Sequence, residues 1–441
     1  MALNSMDQMK LLTGAKPATD LHHVVIVGGG FGGLYAARSL RKSPVRVTLI
    51  DRRNFHLFQP LLYQVATGGL SPGDIASPLR GVLSRQKNAS VLLGEVIGID
   101  RETKRVMVGN RAVGYDSLIL AAGSENHFFG HEDWAQHAPG LKGIEDAVAI
   151  RSRIYTAFEE AEATDDPVRK RRALTFAVVG AGPTGVELAG AIGEVANITL
   201  KRDFRTIDPS DARIILIEAG PRILPTFPEG LVPAALKALG KLGVEVQCGT
   251  KVTGIDSQGL TVIQNEGERR IEAGTVMWSA GVKPSPLGCA LAAENKTLLD
   301  KTGRVLVEPD LSVPGYPNVF VIGDLANFNH QTGQPLPGVA PVAMSEGRYV
   351  ARLITNRIRG KTTPPYRYLD LGNLAVIGRA SAVADFGWFR VSGYPAWLLW
   401  LFVHLMYLVE FDNRLLVFIQ WAWNYFTRNR SARLITHPGN H

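Results

Sequence analysis

His23-Val-Val-Ile-Val-Gly28-Gly-Gly30-Phe-Gly-Gly33 opens with a run of β-branched residues and passes directly into a Gly-x-Gly-x-x-Gly turn. A helical pattern follows over Gly33–Arg41, and the next apolar run, Val47–Ile50, is closed by Asp51. Each residue type has a reason. Gly28 permits the tight turn after the strand. Gly30 lets backbone N–H groups reach a pyrophosphate, and Gly33 lets the helix pack close to the strand. Asp51 can accept hydrogen bonds from ribose hydroxyls. The glycine motif alone is weak evidence and would also suit a structural turn. Strand, turn, helix and acid in register point to a dinucleotide site.

The same constellation returns at Phe176-Ala-Val-Val-Gly180-Ala-Gly182-Pro-Thr-Gly185, with Glu218 ending the run Ile214–Ile217. Further near-continuous apolar runs at Ser117–Leu120, Thr275–Trp278 and Val319–Ile322 suit parallel strands buried on both faces. The fold class is therefore α/β, with two Rossmann-type dinucleotide-binding domains. A carboxylate at Glu218 suits a free ribose 2′-OH and repels a 2′-phosphate, so NADH is expected at the second site; Arg222 nearby leaves NADPH open. Tyr115-Asp-Ser-Leu-Ile-Leu-Ala-Ala122-Gly123 and Thr275-Val-Met-Trp-Ser-Ala-Gly281 each end a strand in small residues, as a chain does when it crosses close over a cofactor. Two dinucleotide sites make sense if one holds a resident flavin and the other a diffusing nicotinamide. The charge-rich stretch Glu159–Arg172 reads as a linker or a solvated helix.

At 441 residues, with 46% hydrophobic residues and 46 glycines, the chain is long enough for more than one core. Its formal charge of +8 admits nucleic acid, an anionic membrane or an anionic cofactor. No basic stripe with interleaved aromatics occurs outside the C-terminus, so nucleic acid is not an expected partner. The only cysteines, Cys248 and Cys289, form no redox or metal-binding spacing and read as buried, inert thiols; no metal site is expected. Residues 1–20 contain Lys10 and Lys16 but no sustained apolar segment, which suits a flexible arm on a protein whose body stays in the cytoplasm.

Asn318-Val-Phe-Val-Ile-Gly323-Asp324 comes late in the chain and by itself reads as a turn with Asp capping a helix. Together with both glycine fingerprints it resembles the two-dinucleotide-binding-domain flavoproteins, in which such an Asp binds the flavin ribityl chain. The chain lacks the cysteine pairs of the disulfide reductases and their sulfide-oxidising relatives. Phe55-His-Leu-Phe-Gln-Pro-Leu-Leu-Tyr-Gln-Val-Ala-Thr-Gly-Gly-Leu70, Ser71-Pro-Gly-Asp-Ile-Ala76, Ile217-Glu-Ala-Gly-Pro-Arg-Ile-Leu-Pro225 and Gly372-Asn-Leu-Ala-Val-Ile-Gly-Arg379 are similar to segments of the type II NADH dehydrogenases, the non-pumping NADH:quinone oxidoreductases of respiratory chains.

That resemblance implies a non-covalent FAD on Gly28, Gly30, Gly33, Asp51, Ala122, Gly123 and Asp324, and NADH on Gly180, Gly182, Gly185, Glu218 and Gly281. It places the NADH domain inside the FAD domain. The expected division is a 1–20 arm, the first segment of the FAD domain over 21–125, and the NADH domain over 126–290 with a core of about 172–285. The FAD domain resumes over 291–385, and a membrane-associating region covers 386–441. Glu187, which follows Gly185, resembles the family glutamate beside flavin and nicotinamide; its bland reading is a carboxylate at a helix N-terminus. Glu346 is a second proton-carrier candidate and reads equally well as a helix-surface charge. The family's Ala-Gln-x-Ala-x-Gln quinone segment is here Ala340-Pro341-Val-Ala-Met-Ser345-Glu346, so the resemblance implies a quinone slot shaped by Pro341 and Ser345, which stand where glutamines are usual and leave fewer amide donors.

Five of seven tryptophans lie between Trp388 and Trp423, and Arg414, Arg428, Arg430 and Arg433 are the only charged residues after Asp412. Tyr394–Phe411 and Leu415–Phe426 are too short or too polar for comfortable bilayer spans and suit amphipathic helices on a lipid surface. A homodimer interface is the alternative, as is one long span from Ala396 ended by Glu410 and Asp412. The expected enzyme is a peripheral protein on the cytoplasmic face of the inner (plasma) membrane, passing hydride from NADH to FAD and then two electrons to a membrane quinone without pumping protons. Two other readings stay open: a soluble NADH-dependent flavoprotein reductase or oxidase, and a membrane-associated flavoprotein redox sensor.

Overall fold

The computed structural model describes residues 21–265, 267–292, 298–409, 411–427 and 430–436. The 1–20 arm, Glu410 and Arg428 lie outside the described residues. Two compact units emerge: Met1–His56 with Ser77–Glu125 and Lys283–Leu369, and Leu57–Ala76 with Asn126–Val282 and Asp370–His441.

In the first unit a six-stranded sheet runs in the spatial order Ser312–Val313, Tyr316–Val321, Ser117–Leu120, His22–Val27, Val45–Asp51, Ala89–Leu93. All pairings are parallel except the edge hairpin formed by the first two. Val24, Val25 and Ile26 have no exposed surface, which explains why this strand lacks a polar face. The long helix Ala340–Ile358 packs on the fingerprint helix Phe31–Ser39. Their approach is so close that a Cβ at Gly347 would lie 2.3 Å from the Gly32 carbonyl oxygen.

The second unit repeats that plan. Its four parallel strands run Val244–Gln247, Arg213–Ile217, Thr175–Val179, Thr275–Trp278, so the fingerprint strand again lies between the acid-bearing strand and the fourth strand of the unit. The register repeats as well. Val27 pairs Ile50 and Leu120, while Val179 pairs Ile217 and Trp278. Each unit also inserts a three-stranded antiparallel meander between its third and fourth parallel strands, spanning Val96–Gly114 in the first and Lys251–Glu272 in the second. The large duplication read from the two fingerprints is present down to individual residue pairs.

Several expectations are corrected. Of the two readings of Glu159–Arg172, the solvated helix holds and the linker does not: it ends helix Ile144–Ala163 and fills most of helix Pro167–Ala173, both inside the second unit. Residues 57–76 and 370–385 pack with the second unit instead of the first, and the aromatic C-terminus is part of that unit's body. The single long span is replaced by two helices, Tyr394–Tyr407 and Phe411–Thr427. Among the described residues no helix is long and apolar enough to cross a membrane. Cys289 is exposed, and Cys248 is only half-buried.

One contact fixes the second unit's lower half. Helix Pro183–Glu194 crosses strand Asn373–Gly378 where a Cβ on Gly190 would stand 1.8 Å from the Ile377 carbonyl oxygen. A methyl there has to push backbone away, at a cost of roughly 1–3 kcal/mol. Gly190→Ala is expected to lower the urea midpoint of unfolding without changing its slope; an unchanged midpoint would show that helix and strand separate freely.

Candidate active site

The two glycine turns are superimposable in their chemistry. Gly28 N–H donates to the Ile50 carbonyl at 2.8 Å and Gly180 N–H to the Ile217 carbonyl at 2.7 Å. Gly28 and Gly180 hold φ of +103° and +97°, a region that L side chains avoid. A Cβ on Gly33 or Gly185 would fall 1.8 Å from the carbonyl oxygen of Gly28 or Gly180. Gly30 and Gly182 differ: each starts its helix, and nothing lies within 4 Å of a Cβ built there. That open space before a helix N-terminus is where the pyrophosphate of a dinucleotide fits.

The acids brace these turns from below. Asp51 accepts from the N–H groups of Gly29 and Arg53, and Glu218 from Ala181 and Gly220, the latter two both at 2.8 Å. Each carboxylate oxygen has a second lone pair, so capacity for ribose hydroxyls remains. The small residues ending the fourth strand of each unit cross over the first fingerprint glycine. A Cβ on Gly28 would lie 2.3 Å from the Ala121 carbonyl oxygen, and one on Gly180 would lie 2.5 Å from the Ala280 Cα. Ala122, Gly123 and Gly281 follow at once, with Gly123 and Gly281 at positive φ.

Arg222 is fully engaged: its guanidinium donates to the carbonyls of Leu224, Pro225 and Phe227. It holds its own loop. Asp324 lies in the short turn Gly323–Leu325, caps no helix, and accepts from the Ser124 hydroxyl at 2.5 Å.

Glu346 is not a surface charge. It is 1% exposed, and its Oε2 accepts from Gly323 N–H at 2.6 Å. Burial pushes its carboxyl up to about 8, opposed by that N–H and reinforced by Asp324. Pro341 sits in the first turn of the same helix. Ser345 lies beside Tyr366, whose phenol is raised well above its usual range, chiefly by burial.

Glu187 also departs from expectation. Helix Pro183–Glu194 has no acid in its first turn, so Glu187 stands one turn too late for the N-terminal dipole. Burial dominates instead and raises it to about 8, with the Val376 N–H pulling the other way from 3.5 Å. Its remaining accessible surface opens on a cavity of about 270 Å³ within the second unit, whose walls include Trp397, Trp400, Trp421 and Tyr425. Neither Pro341 nor Ser345 lines it.

Residues 22–347 match the pyridine nucleotide-disulphide oxidoreductase family, and residues 371–429 match the NDH2 C-terminal domain. The chain is 47% identical over 423 residues to the type II NADH:quinone oxidoreductase of Mycobacterium tuberculosis, covering 94% of this chain and 90% of that relative. The chain belongs to the type II NADH:quinone oxidoreductase family. A member from Staphylococcus haemolyticus is 30% identical, covering 83% of this chain and 90% of the other. The NDH2 structure from Plasmodium falciparum in complex with NADH has the same fold, with a TM-score of 0.84 at 20% identity over 94% of this chain and all of the other. The sulfide:quinone oxidoreductase of Aquifex aeolicus shares the fold at a TM-score of 0.72 and 19% identity, covering 95% and 96% of the two chains.

In this family member, Arg430, one of the arginines of the C-terminal region, turns inward and lines the cavity. Arg430 forms a partly buried ion pair with Glu194 at 2.7 Å and also donates to the Thr67 hydroxyl and carbonyl at 2.7 and 3.1 Å. In the first unit His56, 1% exposed, lies under the fingerprint loop with Nδ1 2.9 Å from the Gly29 carbonyl, and burial lowers it to about 4. Its ring is therefore neutral, with Nδ1 carrying the proton. Chain separation hides such partners: only the fold brings Arg430 to Thr67 and Glu194.

Both buried glutamates have folded pKa values above the ordinary 4.5. Their protonated forms are favoured by the fold, so the stability they contribute is complete below about pH 4.5 and is lost as pH rises through about 8. Glu187→Gln and Glu346→Gln should each flatten the fall of Tm across that window. Curves parallel to the parent's would show that the carboxyls titrate normally.

Proposed function

We propose that the protein oxidises NADH and delivers the electrons, through a non-covalently bound FAD, to a membrane quinone. The single observation that carries this reading is the second unit's combination of a nucleotide cradle ending in Glu218 with an aromatic-walled apolar cavity reaching Glu187. FAD, when bound, accepts hydride from NADH and releases two electrons to the quinone. Gly28, Gly30, Gly33, Asp51, Ala122, Gly123 and Asp324 are the residues that would hold it. The braced turn and the open space at Gly30 fit its pyrophosphate.

On this reading, Gly180, Gly182, Gly185, Glu218 and Gly281 hold NADH, and Glu218 selects the free ribose. Arg222 donates from its terminal nitrogens to three carbonyls of its own loop. Glu187, neutral at pH 7 by burial, stores a proton at the cavity wall for quinone reduction. Glu346 does the same in the first unit, beside Asp324. Pro341, in the first turn, and Ser345, one turn on, shape the quinone slot on the helix that carries Glu346.

The relatives named type II NADH:quinone oxidoreductase support the same donor and acceptor. Trp388 is 90% exposed, and Phe402, Trp423 and Phe426 are 64%, 62% and 80% exposed. Exposed aromatics at this density suit the headgroup region of a bilayer, on the cytoplasmic face of the inner membrane in this reading. The protein oxidises NADH there without moving protons across the membrane.

Purified protein supplied with NADH and a short-chain quinone should turn over, release FAD on denaturation, and acidify no sealed vesicle. Absence of quinone reduction by FAD-loaded protein would overturn the proposal. Replacing Glu218 by Ala should lower kcat/KM for NADH about tenfold, the scale of one lost bond of about 1.4 kcal/mol, and narrow the preference over NADPH. Replacing Trp388, Phe402 and Trp423 together by Ser should lower sedimentation with anionic vesicles at least tenfold while leaving NADH-dependent flavin reduction intact.

A further inference from the structure

We propose that Tyr63 presents its phenolic O–H into the second unit's cavity as the hydrogen-bond donor to a carbonyl oxygen of the electron acceptor, with Trp421 and Gln64 setting its direction. This rests on the reading of that cavity as the acceptor's chamber.

The direction follows from donor and acceptor chemistry. An indole N–H can only donate, and Trp421 Nε1 lies 2.8 Å from Gln64 Oε1. The Gln64 amide is thereby fixed with its oxygen toward Trp421 and its NH2 the other way. That NH2 donates to the Tyr63 phenolic oxygen at 2.9 Å. A phenol oxygen that accepts on one side directs its own proton to the other. Among the described residues no protein acceptor takes this proton, although Tyr63 is 7% exposed. Tyr63, Gln64 and Trp421 all line the cavity.

The chain of donors is held at both ends. The Gln64 carbonyl accepts from Gly69 N–H at 2.7 Å, closing the loop that carries Tyr63. Asn424, one turn beyond Trp421 on helix Phe411–Thr427, donates to the Gly69 carbonyl at 3.2 Å. Arg430 pins the same loop through Thr67. Burial and the Glu187 carboxyl both raise the phenol well above its usual range, so it stays protonated and serves as a donor. Aromatic walls with one fixed donor suit an apolar ring that carries a carbonyl. Tyr63 is the contacting group; Gln64 and Trp421 are positioning residues.

The test uses full-length, FAD-loaded protein and two acceptors: a short-chain quinone, and ferricyanide, which has no carbonyl. Tyr63→Phe should lower kcat/KM for the quinone about tenfold, equivalent to about 1.4 kcal/mol, and leave ferricyanide reduction and the KM for NADH unchanged. Trp421→Phe keeps an aromatic wall but removes the N–H that fixes the Gln64 amide, and should lower quinone kcat/KM about threefold. In the Tyr63→Phe background, Trp421→Phe should add nothing, because both changes act through one proton. Parent-level quinone kinetics in Tyr63→Phe, an equal loss with ferricyanide, or full additivity in the double variant would each overturn the proposal. If Tyr63→Phe fails to retain FAD, Trp421→Phe alone decides by its quinone-to-ferricyanide ratio. A parent enzyme that reduces ferricyanide but no quinone would instead overturn the reading of function.

Discussion

Backbone touching backbone at the start of two helices is the constraint on which this structure depends. At Gly33 and Gly185 even a methyl group would overlap the carbonyl oxygen of the glycine five residues earlier. That contact pulls the helix N-terminus over the end of a central parallel strand and leaves the following N–H groups aimed at open space. Asp51 and Glu218 then hold the turn from the neighbouring strand, and Ala121 and Ala280 close over its first glycine. A dinucleotide cradle results from each such contact.

The aromatic-walled cavity is built on the helix of the second cradle. Its helix continues past Gly185 into Glu187, Ala191 and Glu194, which form one wall of the cavity. Gly190 lets strand Asn373–Gly378 lie against that helix, and the two aromatic helices complete the enclosure. Glu194 is a junction, accepting from the Arg379 N–H and from Arg430. In the proposed function the same helix meets a nucleotide at its N-terminus, and it borders an apolar chamber along its length. That adjacency is what a carrier of electrons from a polar donor to an apolar acceptor requires.

Electrostatics follow from enclosure more than from charge pairing. Glu187 and Glu346 are both raised mainly by burial, and His56 is lowered by the same cause. Each is therefore neutral at pH 7. Neutral acids in dry surroundings are suited to giving up protons when a reduced product demands them.

The fold and the two glycine turns were legible in the sequence because they rest on local patterning: a strand, three glycines, a helix and an acid closing the next strand. Those relations hold whatever the rest of the chain does, and both cradles show them. The chain's β-branched runs likewise marked the buried parallel strands. Burial and long-range partners were not legible. Glu346 reads equally as a proton carrier and as a surface charge until helix Ala340–Ile358 is laid on Phe31–Ser39, and the helix-dipole alternative for Glu187 stands until the helix start is seen at Pro183. Arg222 was ambiguous because its three carbonyl partners depend on the path of one loop. The link from Trp421 through Gln64 to Tyr63 joins residues more than 350 positions apart. Spacing along a chain determines a turn; only the packed tertiary structure decides which distant side chains share a proton, because that depends on distances the sequence does not encode locally.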